Sequence, residues 1–325
     1  AQWPANWINQ FKTFDVRPIA AASIGQVHRV THKDGRDLAI KVQYPGVAQS
    51  IDSDVANVGA LIRMSGLLPK GLDLAPYLAE ARAQLHEETD YIREAGQMMR
   101  FTGLLADQPQ FVVPDLQKDW STSQILTMSF VPGISVEETV KEPQELRDRI
   151  ATQLITLTLR ELFEFGFMQT DPNFANYRYQ SDTGKIVLLD FGAARDLSPR
   201  IVRLYRRLLQ TGLHDDAVGL GQIADEIGFI DHATAQHHRT QVITMIRLVM
   251  TALQDAPLVD FGKLELSQRL QAEGIALAED GFVPPPLPID VLLLQRKFGG
   301  VFLLASRLGA RVDVLGLLRS YLNEK

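Results

Sequence analysis

At 325 residues, with 46% hydrophobic and 22% charged side chains, the chain is long enough for two lobes with separate cores, and its composition argues against large-scale disorder. A net charge of -6, from 33 basic and 39 acidic residues, argues against a nucleic-acid binder. There is no cysteine, which excludes disulfides and cysteine-based zinc sites, and no apolar run reaches the roughly 20 residues needed to span a bilayer. No signal peptide is recognised, and a start at Ala1 rather than Met is compatible with a fragment.

The opening, Ala1–Phe14, carries Trp3, Trp7, Phe11 and Phe14 and reads as a short amphipathic helix. Ile19–Val27 (IAAASIGQV) is a small-residue loop running into a strand, Val27–Thr31. A glycine turn then leads to a second strand, Asp37–Gln43 (DLAIKVQ). Alternation sends Ile40 and Val42 to one face and Lys41 to the other, with Ala39 and Gln43. A helix over Ile51–Leu67 ends at Pro69-Lys70-Gly71, and Leu74–Phe101 reads as one long helix with an acidic middle, HEETDYIREA. Strands at Phe111–Val113 and Gln124–Phe130 lead to Val131-Pro132-Gly133, a candidate hinge between lobes.

Pro143–Phe165 is helical and apolar on several faces, as the central helix of a helical lobe should be. The stretch QTDPNFAN (Gln169–Asn176) cannot be an uninterrupted helix. It is followed by a polar turn, a strand over Ile186–Leu189, and Asp190-Phe191-Gly192. The rest reads as helices: Pro199–Thr211, Asp215–Ile227, Thr234–Leu253, Lys263–Ala278, Ile289–Leu308 and Val312–Leu322, with Phe282–Pro288 (FVPPPLP) as an extended connector.

Asp171 and Asn176 form Asp-x-x-x-x-Asn, and Asp190 opens Asp-Phe-Gly. A carboxylate, an amide oxygen and a second carboxylate at the ends of short strands suit an oxygen-ligated Mg²⁺ carrying phosphates. Protein kinases use this arrangement with the first Asp as base and the others on metal. Alone, Asp-Phe-Gly also fits a strand ending in a turn, so the upstream residues decide. Against the kinase loop G-x-G-x-x-G-x-V, this chain keeps Gly25 and Val27 and replaces the first two glycines with Ala20 and Ala22. Their Cβ atoms restrict positive φ and the approach of backbone amides, so the loop should hold phosphates in a different pose. Lys41 stands where a kinase places the lysine that contacts the α- and β-phosphates. A strand lysine needs a carboxylate to hold it, and Glu87, Glu88, Asp90 and Glu94 are the candidates, unless that run is simply a solvated acidic face.

With AAASIGQVH (Ala20–His28), AIKVQYPGV (Ala39–Val47), ETDYIREA (Glu88–Ala95), QTDPNFAN (Gln169–Asn176) and LLDFGAAR (Leu188–Arg195) in this order, the chain resembles the UbiB (aarF-domain, ADCK) atypical kinase-like family. The later helices and PPPLPIDVLLLQRKFGG are similar to its coenzyme Q subgroup. The resemblance implies that Lys41 contacts phosphate with Glu94 as its helix partner, and that Glu88 and Asp90 form the family's Glu-x-Asp motif. Asp171 would be the catalytic-loop aspartate, Asn176 and Asp190 the metal ligands, and Ala20, Ala21, Ala22 and Ser23 the cover over the nucleotide. The backbone of Ser129 and Val131 would hydrogen-bond adenine.

There are departures. The family's Lys-x-Gly-Gln motif has no match in Ala1–Phe14, so the chain lacks that extension or has been cut short. Gln169-Thr170 replaces the His-Arg of a conventional catalytic loop, and no Ala-Pro-Glu or long activation loop follows Gly192, so a protein substrate has no familiar dock.

The expected fold is a two-lobed, protein-kinase-like α+β structure, with a β-rich lobe carrying extra helices over 1–132 and a mainly helical lobe over 133–325. The expected function is Mg²⁺-dependent ATP binding with ATPase or small-molecule kinase activity, in support of ubiquinone biosynthesis. Implied partners are nucleotide, an isoprenoid-quinone precursor or lipid, and coenzyme Q biosynthesis enzymes, with no nucleic acid. The implied location is cytoplasmic or organelle-matrix, at the periphery of the inner membrane. The alternatives are a true protein kinase and a catalytically idle scaffold that binds nucleotide or lipid. In the helix containing Phe298–Leu304, Arg296, Lys297, Arg307 and Arg311 flank an apolar run: this suits either a membrane-surface helix or, the more favoured reading, a core helix with basic edges.

Overall fold

The computed structural model describes residues 2–65, 74–255, 257–263 and 265–322, and the expected helix stop at Pro69–Gly71 lies outside them. In chain order, the first elements are β1 (Phe11–Phe14), β2 (Ala20–Ala22), β3 (Gly25–His32), β4 (Asp37–Gln43), α1 (Val47–Ser65), α2 (Ala75–Glu88), α3 (Tyr91–Leu104), β5 (Phe111–Val112), β6 (Ile125–Ser129) and β7 (Ile134–Ser135). They are followed by α4 (Gln144–Arg160), β8 (Phe167–Gln169), β9 (Tyr177–Gln180), β10 (Lys185–Leu188) and β11 (Ala194–Asp196). The last stretch holds α5 (Pro199–Leu213), α6 (Ala217–Ile227), α7 (Gln236–Gln254), β12 (Val259–Asp260), α8 (Glu265–Glu279), α9 (Ile289–Arg307), β13 (Arg311–Val312) and α10 (Val314–Leu322). The chain divides into two compact units, Ala1–Ser135 with Ala175–Ala194, and Val136–Phe174 with Arg195–Lys325.

In the first unit, one sheet runs β1-β3-β4-β6, with β2 also on β3. Leu38 and Ile40, at i and i+2 on β4, join Phe11, Val30 and Ile125 in its core, with Val42 against them. The expected N-terminal helix is not formed. Only Trp7–Gln10 makes a 3₁₀ turn, and Phe11–Phe14 is a strand paired to β3. The aromatic spacing that suggests a helix instead places Trp3, Trp7 and Phe14 around the sheet core beside Trp120. The small-residue loop is also more ordered than expected, because Ala20–Ala22 pairs with β3 as a hairpin turning at Ser23-Ile24. An added Cβ on Gly25 would run into the Val42 carbonyl, so this glycine permits the close approach of β3 and β4.

The single helix expected over Leu74–Phe101 is two, α2 and α3. Asp90 breaks it by capping α3, with its Oδ1 accepting from the Ile92 and Arg93 amides at 3.0 Å each. A second sheet, β5-β10-β9-β7, draws the segment after Asn176 into the first unit, where β10 lies parallel to β5 and antiparallel to β9. The Pro132-Gly133 turn, read as a hinge, lies inside this unit: Arg178 donates to the Gly133 carbonyl at 2.8 Å and β7 pairs with β9.

The second unit is helical, and its helix ends follow local chemistry. Ser198 caps α5 ahead of Pro199, Asp216 caps α6, and Gly228 (φ 100°) ends α6. In α4, Ile150, Leu154, Ile155, Leu157 and Leu159 are buried, and the helix continues through a π-helical turn, Glu161–Phe165, to Gly166 in the left-handed region. Buried Val291, Leu294, Val301 and Leu304 make α9 a core helix, and Lys297 is buried with them. Of the basic residues that flank its apolar run, Lys297 is therefore in the core, at neither a solvated edge nor a membrane surface. Among the described residues, no helix is long and apolar enough to cross a membrane.

Candidate active site

Lys41 and Glu94 meet inside the first unit. β4 alternation turns Lys41 away from the Leu38/Ile40 core, and the three- and four-residue spacing of Tyr91, Glu94, Ala95 and Met98 turns Glu94 inward from α3. The Lys41 ammonium donates to Glu94 Oε1 at 2.8 Å and Oε2 at 3.0 Å, and to Asp190 Oδ2 at 3.1 Å. Lys41 is 6% and Glu94 1% exposed. Burial by itself pulls the Lys41 ammonium down, but the Glu94 and Asp190 carboxylates outweigh it and hold the group above the ordinary lysine value. Burial pushes the Glu94 carboxyl up to about 7, with Lys41 pulling against it and Asp190 adding to it. The direction that governs the site is that of Lys41, a cation fixed by two carboxylates.

The neighbours hold this trio in register. Gln43, on the Lys41 face of β4, donates to the Thr89 carbonyl at 2.6 Å, just before the Asp90 cap. Of the Glu-x-Asp pair, Asp90 therefore sets the start of α3, while Glu88 accepts a 2.8 Å bond from Ser23 Oγ at the tip of the alanine hairpin. Ala20 and Ala21 are exposed and Ala22 half-buried on β2.

Two residues that the sequence pattern leaves unassigned belong to this site. Arg93 donates to the Gly192 and Ala194 carbonyls at 2.6 and 2.7 Å, tying the Asp-Phe-Gly segment to α3, and also pairs with Glu87 at 3.1 Å. The Tyr91 ring lies 5.1 Å from the Lys41 ammonium, a cation–π contact that walls the lysine in. Tyr91 could be found from its place on the Glu94 stripe. Arg93 points at backbone carbonyls about a hundred residues away, which no local pattern announces. Phe191 packs against Phe101, with ring centroids 5.2 Å apart.

Asp190 Oδ1 accepts from the Gly192 amide at 2.9 Å, and the Asn176 backbone carbonyl accepts from the Leu189 amide at 3.0 Å, so Asn176 is tied one residue from Asp190. An amide and a carboxylate are a hard oxygen donor set, of the kind that Mg²⁺ takes. Ser129 lies at the end of β6, where its amide donates to the Asp115 carbonyl at 2.9 Å and its Oγ accepts from the Asp115 amide at 2.8 Å. Its amide is therefore already used, and Val131, half-buried, lies two residues beyond.

Asp171 belongs to the second unit. Its amide donates to Gln169 Oε1 at 3.1 Å, and its carboxylate lies 3.4 Å from the Arg296 guanidinium. Behind it, the Gln169 amide donates to Glu161 Oε1 at 3.4 Å, and Glu161 is paired with Lys297 at 3.5 Å. An added Cβ on Gly300 would run into Pro172, so α9 lies directly against the residue after Asp171. Arg296, Lys297 and Gly300 thus brace the segment that carries Asp171.

The model of the ABC1 atypical kinase-like domain matches residues 1–224. The Saccharomyces cerevisiae protein named atypical kinase COQ8, mitochondrial, is 37% identical over 319 residues, covering 97% of this chain and 63% of its own length. The Caenorhabditis elegans atypical kinase coq-8, mitochondrial, is 37% identical over 317 residues, covering 96% of this chain and 42% of its own length. The chain therefore spans about half the length of these curated relatives. Among solved structures, Mycobacterium tuberculosis Rv3197, in its complex with erythromycin, shares the fold with a TM-score of 0.78 at 23% identity, over 100% of this chain and 82% of its own. With its α+β kinase-like fold and the family model over most of its length, the chain belongs to the ABC1 atypical kinase-like family.

Proposed function

We propose that this chain binds ATP with Mg²⁺ and works as an atypical kinase or ATPase in support of coenzyme Q biosynthesis. The observation that carries this reading is the buried Lys41–Glu94 pair with Asp190 at its edge. A lysine held by a helix carboxylate beside the Asp-Phe-Gly aspartate is the arrangement that protein kinases use for phosphoryl transfer. Lys41 orients the phosphates, and Glu94 keeps its ammonium charged and aimed. When bound, Mg²⁺ neutralises phosphate charge, and Asn176 and Asp190 are the residues that would hold it. Asp171 accepts a hydrogen bond from the attacking water or hydroxyl, and Arg296 fixes its carboxylate. The Ala20–Ser23 hairpin covers the nucleotide, tethered through Ser23 to Glu88, and the Val131 backbone meets the base.

The names of the relatives support a mitochondrial setting, and the resemblance to the coenzyme Q subgroup supports an isoprenoid-quinone precursor or lipid, and the enzymes that process it, as partners at a membrane periphery. Phosphate release should be measured with Mg²⁺-ATP, with and without anionic vesicles and a phenolic quinone precursor. Turnover that rises with vesicles or precursor and is lost in Asp171→Asn supports the reading. Nucleotide binding without turnover would leave a scaffold, and no nucleotide binding would remove the proposal.

A further inference from the structure

Away from the kinase-like residues, the second unit brings two histidines and a carboxylate to one point. His237 and His238 are consecutive in the first turn of α7, and Asp280 directly follows α8. His237 Nε2 lies 3.1 Å and His238 Nε2 3.2 Å from the same oxygen, Asp280 Oδ2. All three ligand atoms fall within 4.8 Å of one another, and the imidazole ring centroids are 3.9 Å apart. His238 is buried, with Phe282 edge-on against its ring at 5.3 Å, so its direction is fixed, while His237 and Asp280 face solvent. One turn further along, Gln241 donates to the Glu273 carbonyl at 3.4 Å, which keeps α7 and α8 in step.

We propose that His237, His238 and Asp280 form a binding site for a zinc-class divalent cation that staples α7 to the end of α8. Metal–ligand bonds of about 2.1 Å place neighbouring ligand atoms about 3.0 Å apart in an octahedron and about 3.4 Å apart in a tetrahedron. The two nitrogen–oxygen separations fall within that interval. Two imidazoles and one carboxylate are a borderline donor set that selects Zn²⁺, Co²⁺ or Ni²⁺ over Mg²⁺ and Ca²⁺, unlike the all-oxygen set of Asn176 and Asp190. One divalent cation at this point would hold the two rings and the carboxylate together. Three protein ligands leave positions for water or an outside ligand.

The test is titration of tag-free, chelator-treated full chain with Zn²⁺ in a calorimeter, in the presence of millimolar Mg²⁺. One Zn²⁺ per chain is expected, with a Kd in the micromolar range or tighter. His237→Ala and Asp280→Asn, both at exposed positions, should each weaken binding at least tenfold while circular dichroism is unchanged. Asp190→Asn should leave Zn²⁺ binding as it is. Co²⁺ should give visible d–d bands that change in His237→Ala. Absence of Zn²⁺ binding, unchanged affinity in His237→Ala or Asp280→Asn, or loss of binding in Asp190→Asn would each overturn the site.

Discussion

Lys297 of α9 and Glu161, in the π-helical turn that extends α4, meet at 3.5 Å with each side chain only 1% exposed. Burial pushes the Glu161 carboxyl up, and Lys297 and then the Gln169 amide pull it back. Removing one partner leaves a buried, uncompensated charge, which costs about 3–5 kcal/mol. Lys297→Met should therefore be severely destabilised in urea unfolding. Adding Glu161→Gln should restore most of the loss, since the glutamine oxygen can still accept from Gln169. Additive losses in the double variant would mean the two residues are not coupled.

The same pair makes a pH prediction with a definite sign. In Lys297→Met, Glu161 loses its charge partner and its folded-state value rises further above the ordinary 4.5. The folded state then binds a proton that the unfolded state has released, so stability falls as pH rises through that window. The gap between variant and parent should widen as pH rises above the ordinary glutamate value of 4.5 and narrow below it. A gap independent of pH would show that Glu161 does not carry the cost.

Gly300 separates steric bracing from helix propensity. Glycine to alanine inside a helix gains up to about 1 kcal/mol. Gly299, where an added Cβ would meet nothing within 4 Å, should show that gain as Gly299→Ala. In Gly300→Ala the added carbon meets Pro172, next to Asp171, the proposed catalytic residue, so the gain is cancelled and that segment moves. A misplacement of about 1 Å is enough to cost turnover on the order of a hundredfold, with nucleotide affinity little changed. Equal melting temperatures and turnover in the two variants would contradict the contact.

Much of this was legible in the sequence because the information is local. Strand alternation places Lys41 opposite Leu38 and Ile40, helical spacing turns Glu94 inward, and capping residues such as Ser198, Asp216 and Gly228 mark the helix ends of the second unit. What was not legible depends on contacts distant in sequence. Trp3, Trp7, Phe11 and Phe14 have helical spacing, but pairing of Phe11–Phe14 with β3 and packing on Trp120 override it. The acidic run reads as one helix until the side chain of Asp90 is seen to accept two amides. Lys297 looks like a basic edge residue because nothing nearby in sequence reveals Glu161. The excursion of 175–194 into the first unit follows from β10 pairing with β5, which no local pattern encodes.

Asp90 offers a direct test of the Glu-x-Asp motif as a structural device. Its carboxylate satisfies two amides at the start of α3, four residues before Glu94. Asp90→Ala should cost about 1 kcal/mol, while Asp90→Asn, also a good cap, should cost little. If Asp90 acts only through the cap, Asp90→Asn should also keep the nucleotide affinity that Asp90→Ala loses. Equal loss of affinity in both variants would assign the carboxylate a role beyond capping.

The last prediction concerns the proposed metal position. A ligand that binds only the folded chain stabilises it by about 2.7 kcal/mol at a hundred times its Kd, which for a chain of this size is a melting shift of several degrees. Mg²⁺-ATP should produce such a shift, larger than ATP with chelator. Asp190→Asn replaces a carboxylate that touches both the Gly192 amide and the Lys41 ammonium with a neutral amide, leaving Lys41 its two contacts to Glu94. The variant should therefore fold, keep part of the shift due to nucleotide alone, and lose most of the Mg²⁺-dependent part. Glu94→Gln should do the converse, weakening nucleotide binding with or without Mg²⁺ because the Lys41 ammonium loses its buried partner. An unchanged Mg²⁺-dependent shift in Asp190→Asn would remove the metal assignment while leaving the lysine assignment to be judged by Glu94→Gln.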